Sequence, residues 1–271
     1  MEYTANINGI DVNAHYSDKT IRELLVPLLE QLAELHTEKQ SRIVAMLAAP
    51  PGAGKSTLVS FLEYLAKKTI PQKSVQTVGM DGFHRRQEYL LSHTASVDGR
   101  EVPMVKIKGA PVTFDLEALG KKIAELAGGN MCTWPRYDRL LHNPVEDAIT
   151  IASDIVLLEG NYLLLDLDGW RELSACADYA ISLSADEGLL RKRLVERRIA
   201  TGVDREAAEE FVDFSDMANV RLCLEKTGKA DLELEITHNG TEFIKRDRTC
   251  NEVNERPFAL HVEQEKKNGV E

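Results

Sequence analysis

One short stretch constrains the fold of this chain more than any other, and it reads Ala48-Ala49-Pro50-Pro51-Gly52-Ala53-Gly54-Lys55-Ser56-Thr57. It directly follows an apolar, β-rich run at 42–48 and directly precedes a helical run at 58–67. Small residues between a strand and a helix let backbone N–H groups turn inward around phosphate oxygens, and the helix N-terminus adds a positive potential. This context is typical of a P-loop, which binds the phosphates of a nucleotide. We predict that the phosphates contact Pro51, Gly52, Ala53, Gly54, Lys55, Ser56 and Thr57.

Two side chains of the loop have roles that follow from their chemistry. The Lys55 ammonium reaches the β- and γ-phosphates, and the Ser56 hydroxyl supplies a ligand to Mg²⁺. The loop departs from the pattern Gly-x-x-x-x-Gly-Lys-[Ser/Thr] at its first position, where Ala49 stands. Alanine is unfavourable there only if the backbone needs a positive φ. We therefore predict that the chain binds ATP together with Mg²⁺.

Short β-rich runs alternate with helical patterns along the rest of the chain. This alternation predicts βαβ units, and hence a parallel sheet with helices on both faces. The predicted fold class is α/β, a P-loop domain with a five-stranded, mainly parallel sheet sandwiched between helices. The predicted strands lie at 42–48, 75–80, 154–158, 179–183 and 232–237.

Composition excludes several classes of partner. The net charge of −11 argues against binding to nucleic acid or to an anionic membrane, because phosphate backbones need a basic face. The sequence has no apolar run near the roughly 20 residues of a membrane span, and its first residues lack the pattern of a signal peptide. The four cysteines are scattered without a paired spacing, which favours reduced thiols. We expect a cytoplasmic protein.

Two acidic residues follow predicted strands on the sheet edge where ligands of such folds bind. Asp81 comes directly after the run at 75–80, and Glu159 directly after the run at 154–158. Asp81 is placed to orient or deprotonate an acceptor hydroxyl, and both acids are candidate supports for Mg²⁺ with Ser56. An aspartate at a strand end also occurs as a simple turn former.

A basic helix is predicted at 186–200 in an otherwise acidic protein. Arg193 and Arg197 lie one turn apart and so share a face. A basic face near the γ-phosphate neutralises the charge of the transferring group, as a mobile lid does in many kinases. We expect catalytic contributions from Arg193, Arg197 and Arg198. The alternative is a solvated face that pairs with Glu187 and Glu196.

These motifs together resemble the uridine kinase, phosphoribulokinase and bacterial pantothenate kinase family. The sequence is most similar to the branch described as nucleoside/nucleotide kinase-like or as fructose-transport-system kinase, over roughly residues 40 to 240. The P-loop and the basic helix are two of the motifs. The others are Met80-Asp81-Gly82-Phe83-His84, Lys108-Gly109-Ala110-Pro111-Val112-Thr113-Phe114-Asp115, Tyr137-Asp138-Arg139 with His142 and Pro144, and Leu158-Glu159-Gly160-Asn161-Tyr162.

The resemblance implies Asp81 as the catalytic base, Glu159 near the metal and the basic helix as part of a lid. It also implies an acceptor site made by Phe83, His84, Arg136, Tyr137, Asp138, Arg139, His142, Asn161 and Asn219. Two alternatives stay open: residues 134–137 are only a structured turn, or Asp216 and Asn219, three apart on one helical face, are only exposed surface.

The domain organisation follows from the same patterns. Residues 1–40 form a hairpin turning at Asn8-Gly9 and a leucine-rich helix, which pack on the core and can support a homodimer. Residues 41–242 form the P-loop kinase domain, with an acceptor-binding insertion at 82–150 and a lid helix at 186–205. Residues 243–271 form a polar tail that we expect to be partly disordered.

The predicted function is ATP- and Mg²⁺-dependent phosphorylation of a hydroxyl of a small metabolite, such as a nucleoside, a sugar or a pantothenate-like compound. One alternative is a nucleotide-binding protein with reduced catalysis. Another is a GTP-dependent switch or metal-insertion factor. The string nearest to a guanine-reading motif is Gly228-Lys229-Ala230-Asp231, and its first residue is wrong for guanine.

Overall fold

The computed structural model describes residues 1–7, 10–97, 99–237 and 242–246. Its strands are β1 (Glu2–Ile7), β2 (Ile10–His15), β3 (Ile43–Ala48), β4 (Val75–Gly79), β5 (Thr94–Val97), β6 (Arg100–Pro103), β7 (Cys132–Asp138), β8 (Asn143–Ile151), β9 (Ile155–Gly160), β10 (Tyr179–Ala185), β11 (Leu232–Ile236) and β12 (Phe243–Lys245). The central sheet has the order β12-β11-β10-β3-β9-β4. All neighbouring pairs in it are parallel except β11 and β12. The predicted α/β fold with a mainly parallel sheet is confirmed.

The prediction of five strands was wrong by one. β12 pairs antiparallel with β11, and the ring of Phe243 lies 5.9 Å from that of Tyr16. The first three residues of the tail that we expect to be partly disordered are thus held by a short edge strand and one aromatic contact. Residues 247–271 lie outside the described part.

The helices are α1 (Asp18–Thr20), α2 (Val26–Lys39), α3 (Lys55–Thr69), α4 (Gln87–Ser92), α5 (Leu116–Ala127), α6 (Arg171–Ser174), α7 (Glu187–Ala200), α8 (Arg205–Phe211) and α9 (Met217–Lys226). A π-helical turn, Ile21–Leu25, joins α1 to α2 just before Pro27. Proline lacks an N–H and its ring displaces the carbonyl four residues earlier, so a wider turn at this point lets the helix continue. Within the described ranges, no helix is both long enough and apolar enough to cross a bilayer.

The central strand β3 is buried on both faces. Ile43, Ala45 and Leu47 pack in one apolar cluster together with α3 and α7. Val44, Met46 and Ala48 alternate with them and pack in a second cluster together with α5. A strand covered on both faces needs an uninterrupted apolar run, as the sequence has here.

The N-terminal ribbon of β1 and β2 packs on the helix that follows the P-loop. The Tyr3 hydroxyl lies 2.7 Å from Ser60 Oγ, and the rings of Tyr16 and Phe61 stack with their centroids 4.1 Å apart. The two strands pair antiparallel as predicted, while the Asn8-Gly9 turn itself lies outside the described residues.

The segment between β4 and β9 holds a 3₁₀ turn (Met80–Phe83), two hairpins and two α-helices, and it is fastened to the end of β4. The Trp134 indole donates a 2.9 Å hydrogen bond to the carbonyl of Gly79. A Cβ atom on Gly82 would lie 2.3 Å from the carbonyl oxygen of Pro135, so only glycine fits there. The β7–β8 hairpin thus fixes the turn that carries Asp81.

Candidate active site

The strand order brings three predicted elements to one edge of the sheet. β3 leads into the P-loop, and its neighbour β9 ends with Glu159 and Gly160. β4 lies next to β9, with Gly79 opposite Glu159, and leads directly into the turn that holds Asp81. Because the carboxyl ends of parallel strands meet at the same edge, the P-loop and both acids face one cleft.

The P-loop backbone explains which of its small residues are required. Gly52 and Gly54 both have φ of +84°, which favours glycine. A Cβ atom on Gly52 would lie 3.1 Å from both the Leu190 carbonyl oxygen and Leu194 Cγ, so the loop packs directly on α7. Ala49 does not have a positive φ and is only 2% exposed. Alanine therefore fits the first position of the motif without strain.

Lys55, Ser56 and Glu159 form a connected group under the loop. The Ser56 hydroxyl donates a 2.7 Å hydrogen bond to Glu159 Oε1, and Lys55 Nζ lies 3.9 Å from Glu159 Oε2. Burial raises the pKa of Glu159, and the negative charge of Asp81 raises it further, against the opposing effects of Lys55 and Ser56. The positive charge near Glu159 therefore does not offset the effect of burial on its carboxyl group.

These oxygens suit a hard divalent cation. A serine hydroxyl and a carboxylate are ligands that Mg²⁺ accepts, and a cation beside Glu159 relieves the cost of burying its charge. No cluster of three His, Cys, Asp or Glu side chains occurs among the described residues. An ion here would accordingly take its other ligands from phosphate oxygens and water, as Mg²⁺ at nucleotides usually does.

The surroundings of Asp81 and Glu159 shift their pKa values in opposite directions. Burial acts to raise the pKa of Asp81, but its interactions with His84, Lys55, Arg139 and Arg197 outweigh that effect and lower it. The ionised form is therefore favoured more at Asp81 than at Glu159. A carboxylate oxygen accepts hydrogen bonds, so Asp81 can accept one from an acceptor hydroxyl.

His84 adds a neutral imidazole beside this carboxylate. Its Nδ1 lies 2.9 Å from the backbone carbonyl oxygen of Asp81, and since a carbonyl only accepts, Nδ1 carries the proton. Burial lowers the pKa of His84 and favours this neutral form, which leaves Nε2 as an acceptor. The ring is held between Phe114 and Tyr137, with centroid distances of 4.0 and 5.1 Å.

The arginines of α7 take different positions. Arg193 Nη1 lies 3.4 Å from the Gly52 carbonyl oxygen and so fastens the helix to the P-loop. Arg198 Nε donates to Asp216 at 3.1 Å, and its guanidinium stacks on the Phe211 ring at 3.6 Å.

Arg197 is the arginine of this helix whose charge acts on Asp81. Its side chain is exposed to solvent, and partial desolvation by the surrounding protein lowers the pKa of its guanidinium group. Of the two acids in the alternative of a solvated face, Glu187 pairs with Arg221 at 3.2 Å instead of with an arginine of α7.

The β7–β8 hairpin brings some of the predicted acceptor residues together and separates others. Tyr137 lies against His84, and the charge of Arg139, on the turn after β7, acts on Asp81. Asp138 serves the turn itself, because its Oδ1 accepts from the backbone N–H groups of Leu140 at 2.8 Å and Leu141 at 3.0 Å.

The side chains of Arg136 and His142 are exposed, and His142 has a φ of +52°. Phe83 is a core residue whose ring meets that of Trp134 at 5.0 Å. Residues 134–137 belong to strand β7, so the alternative of a structured turn is wrong.

The last candidates lie near α9. Asp216 and Asn219 are only 8% and 6% exposed, so the alternative of an exposed surface is wrong.

The buried Oδ1 of Asn161 has no hydrogen-bond partner among the described residues. The Tyr162 hydroxyl donates a 2.6 Å hydrogen bond to the Gly109 carbonyl, which joins the end of β9 to the loop around residue 109.

Sequence reasoning missed one residue of the site. Lys108 opens one of the motifs, but its side chain was given no role. Its Nζ lies 5.0 Å from the centroid of the Tyr137 ring and 3.2 Å from the His142 carbonyl oxygen. The signal available in the sequence was a lysine directly before Gly109, whose φ of +103° marks a tight turn.

Comparisons with known proteins agree with this geometry. No protein-family model matches the chain. It is 40% identical to the Escherichia coli K12 protein YggC, whose name states that it is uncharacterized, over 89% of this chain and 98% of that protein. It is 31% identical to a Schizosaccharomyces pombe protein, C227.14, named provisionally as a uridine kinase, over 67% of this chain and 77% of that protein.

A solved structure is similar at the level of both fold and sequence. It is a protein of Silicibacter sp. TM1040 named provisionally as a fructose transport system kinase. The match has a TM-score of 0.68 and 31% identity, and it covers 77% of this chain and 98% of that one.

Proposed function

Because the chain belongs to the P-loop kinases of the uridine kinase, phosphoribulokinase and pantothenate kinase type, we propose that it transfers the γ-phosphoryl group of ATP to a hydroxyl of a small metabolite, with Mg²⁺. The observation that carries the proposal is the placement of Asp81 on the same sheet edge as the P-loop, in the turn directly after the strand next to Glu159, whose side chain bonds to Ser56.

In the proposed reaction the acceptor oxygen attacks the γ-phosphorus and the bond from that phosphorus to the oxygen of ADP breaks. Asp81 accepts the hydroxyl proton, and Nε2 of His84 accepts a hydrogen bond that helps to orient the acceptor. Lys55 and the backbone of the P-loop hold the β- and γ-phosphates. When bound, Mg²⁺ supplies charge neutralisation to the phosphates, supported by Ser56 and Glu159.

Arg197 and Arg139 are the proposed partners of the transferring group. Both charges act on Asp81, so both groups lie near the place where the γ-phosphoryl group meets the acceptor. Guanidinium groups at this point stabilise the negative charge on the equatorial oxygens of the transition state. Arg193 and Arg198 are instead positioning residues, which hold α7 on the P-loop and on Asp216.

The proposal is tested by measuring ADP release with ATP against a panel of nucleosides, sugars, sugar phosphates, hydroxy acids and pantothenate. We expect ADP release that depends on one class of acceptor, and a preference for ATP over GTP. Asp81→Asn should lower kcat by about 10²- to 10⁴-fold, the usual contribution of a general base, with ATP affinity unchanged. Asp168→Asn is the matched control, since that side chain is 94% exposed and pairs only with Arg171. Equal turnover by Asp81→Asn and Asp168→Asn would overturn the assignment of the base.

A further inference from the structure

Lys108 is a positively charged side chain whose contacts are all neutral. Its Nζ donates to Gln87 Oε1 at 2.8 Å and to the His142 carbonyl at 3.2 Å, and it faces the Tyr137 ring at 5.0 Å. No carboxylate of the described residues lies within ion-pairing distance of it. Partial burial lowers the pKa of Lys108, as expected when an ammonium group leaves water without gaining a counter-charge.

A row of contacts connects this ammonium group to Asp81. The backbone of Asp81 bonds to His84, the His84 ring packs on Tyr137, and the Tyr137 ring faces Lys108. Tyr137 belongs to β7 and Lys108 follows the 3₁₀ turn Met104–Ile107, so two separate parts of the insertion form the half of the row that is remote from Asp81. The successive contacts of the row measure 2.9, 5.1 and 5.0 Å.

Lys108 stands apart from the charges that serve the phosphate end of the cleft. Besides the His84 ring, the groups that act most strongly on Asp81 are the cations of Lys55, Arg139 and Arg197. Those that act most strongly on Glu159 are Lys55 and Arg139. Lys108 acts instead on His84. It is therefore poorly placed to bind the transferred phosphoryl group and well placed to bind the far end of an acceptor.

We infer that the acceptor carries an anionic group, a carboxylate or a phosphate, which Lys108 binds while the reacting hydroxyl faces Asp81. This inference rests on the proposed transfer reaction. A neutral polyol or nucleoside needs only neutral donors at this position, and the chain would then keep an uncompensated ammonium group at a cost. An anionic group on the acceptor forms a charge-assisted hydrogen bond with the ammonium group. This bond removes the cost and makes the site selective for charged acceptors.

The test compares acceptors that differ only in the charged group. D-glycerate is paired with glycerol, pantothenate with pantothenol, and D-ribulose 5-phosphate with D-ribulose. Binding is measured by calorimetry with the full chain in the presence of Mg²⁺ and a non-hydrolysable ATP analogue, and turnover is measured by ADP release. We expect at least one charged member to bind on the order of 10- to 100-fold more tightly than its neutral partner, the usual value of a hydrogen bond to a charged group. The pairs also separate a carboxylate from a phosphate.

Variants assign the preference to Lys108. Lys108→Met should remove the preference for the charged member, while Lys108→Arg retains part of it. Lys106→Met is the matched control, because Lys106 is an exposed lysine in the adjacent 3₁₀ turn and should leave the preference intact. Thermal melting of all three shows whether they fold.

Three results would overturn the inference. The charged and neutral members of each pair bind equally, the preference survives in folded Lys108→Met, or no charged member binds. Charge-dependent binding without any ADP release would instead overturn the transfer reaction and leave the anion site standing. The two failures are therefore distinguishable.

Discussion

The two ends of the cleft balance their charges in different ways. At the nucleotide end, Glu159 accepts from Ser56 and lies 3.9 Å from Lys55, so the groups there are partnered within the chain. In the proposed reaction, the acceptor end begins where the γ-phosphoryl group meets the acceptor. There Arg139 makes no hydrogen bond or ion pair with any described residue, and farther out Lys108 contacts only neutral groups. The nucleotide end is preorganised, whereas the cations of the acceptor end are open to solvent and to a ligand.

The difference has a structural origin. The nucleotide end is built at the ends of adjacent strands and at the start of α3, where strand pairing and helical hydrogen bonds fix the flanking backbone. The acceptor end is built from an exposed hairpin turn and a loop, where side chains determine the geometry. Mutations at the acceptor end are therefore the sharper test of function, because they disturb the least of the fold.

Among the substitutions that compare the two ends, the largest effect is expected from Arg139→Gln. If Arg139 meets the transferring group, the substitution should lower kcat by about 10²- to 10³-fold, as the loss of one preorganised donor does elsewhere. Melting temperature should stay unchanged, because the side chain has no partner in the fold to lose. Steady-state kinetics with the best acceptor measures the effect.

Arg100→Gln is the control for this substitution, since Arg100 is exposed on the β5–β6 hairpin. Similar kinetics for the two variants would show that Arg139 is an ordinary surface residue, and the contrast between the two ends would then rest on Lys108 alone.

A smaller effect, on stability rather than on rate, is expected from Asp216→Ala. It leaves Arg198 without its 3.1 Å partner in a largely buried place. The free energy of unfolding should fall by roughly 1–3 kcal/mol, the cost of leaving one hydrogen-bonding group unsatisfied. Chemical denaturation measures it.

Asp213→Ala breaks the exposed pair with Arg191 on the same helix and should leave stability nearly unchanged. If Asp216→Ala and Asp213→Ala unfold at the same denaturant concentration, Arg198 does not anchor the fold and is again a candidate catalytic residue.

The smallest effect is expected at the nucleotide end, from Ala49→Gly. Because Ala49 does not have a positive φ, restoring the usual glycine should leave ATP affinity within about twofold and cost roughly 0.5–1 kcal/mol of stability from added backbone freedom. The opposite change, Gly52→Ala, places a side chain at a φ of +84° against Leu190 and Leu194, and should weaken ATP binding more. A clear gain in ATP affinity for Ala49→Gly would show that the nucleotide end is less preorganised than its contacts indicate.

Much of this site could be predicted from the sequence because each of its parts lies at the carboxyl end of a strand. The P-loop lies between a strand and a helix, and Asp81 and Glu159 lie where strands end, so local pattern and parallel topology suffice to bring them together. The sixth strand could not be predicted, because Phe243–Lys245 is a short run whose pairing depends on β11 and on contact with Tyr16.

The sequence by itself determined the α/β class, the nucleotide cradle and the position of its two acids. Only the tertiary structure decided which basic residues take which part: Arg193 on the P-loop, Arg198 on Asp216, Arg197 towards Asp81, and Lys108 at the far end of the acceptor row. The reason is physical. Backbone patterns fix where a strand ends, but a long charged side chain is placed by partners that are distant in the sequence, and Asp216, Gly52 and Tyr137 become neighbours of these residues only after folding.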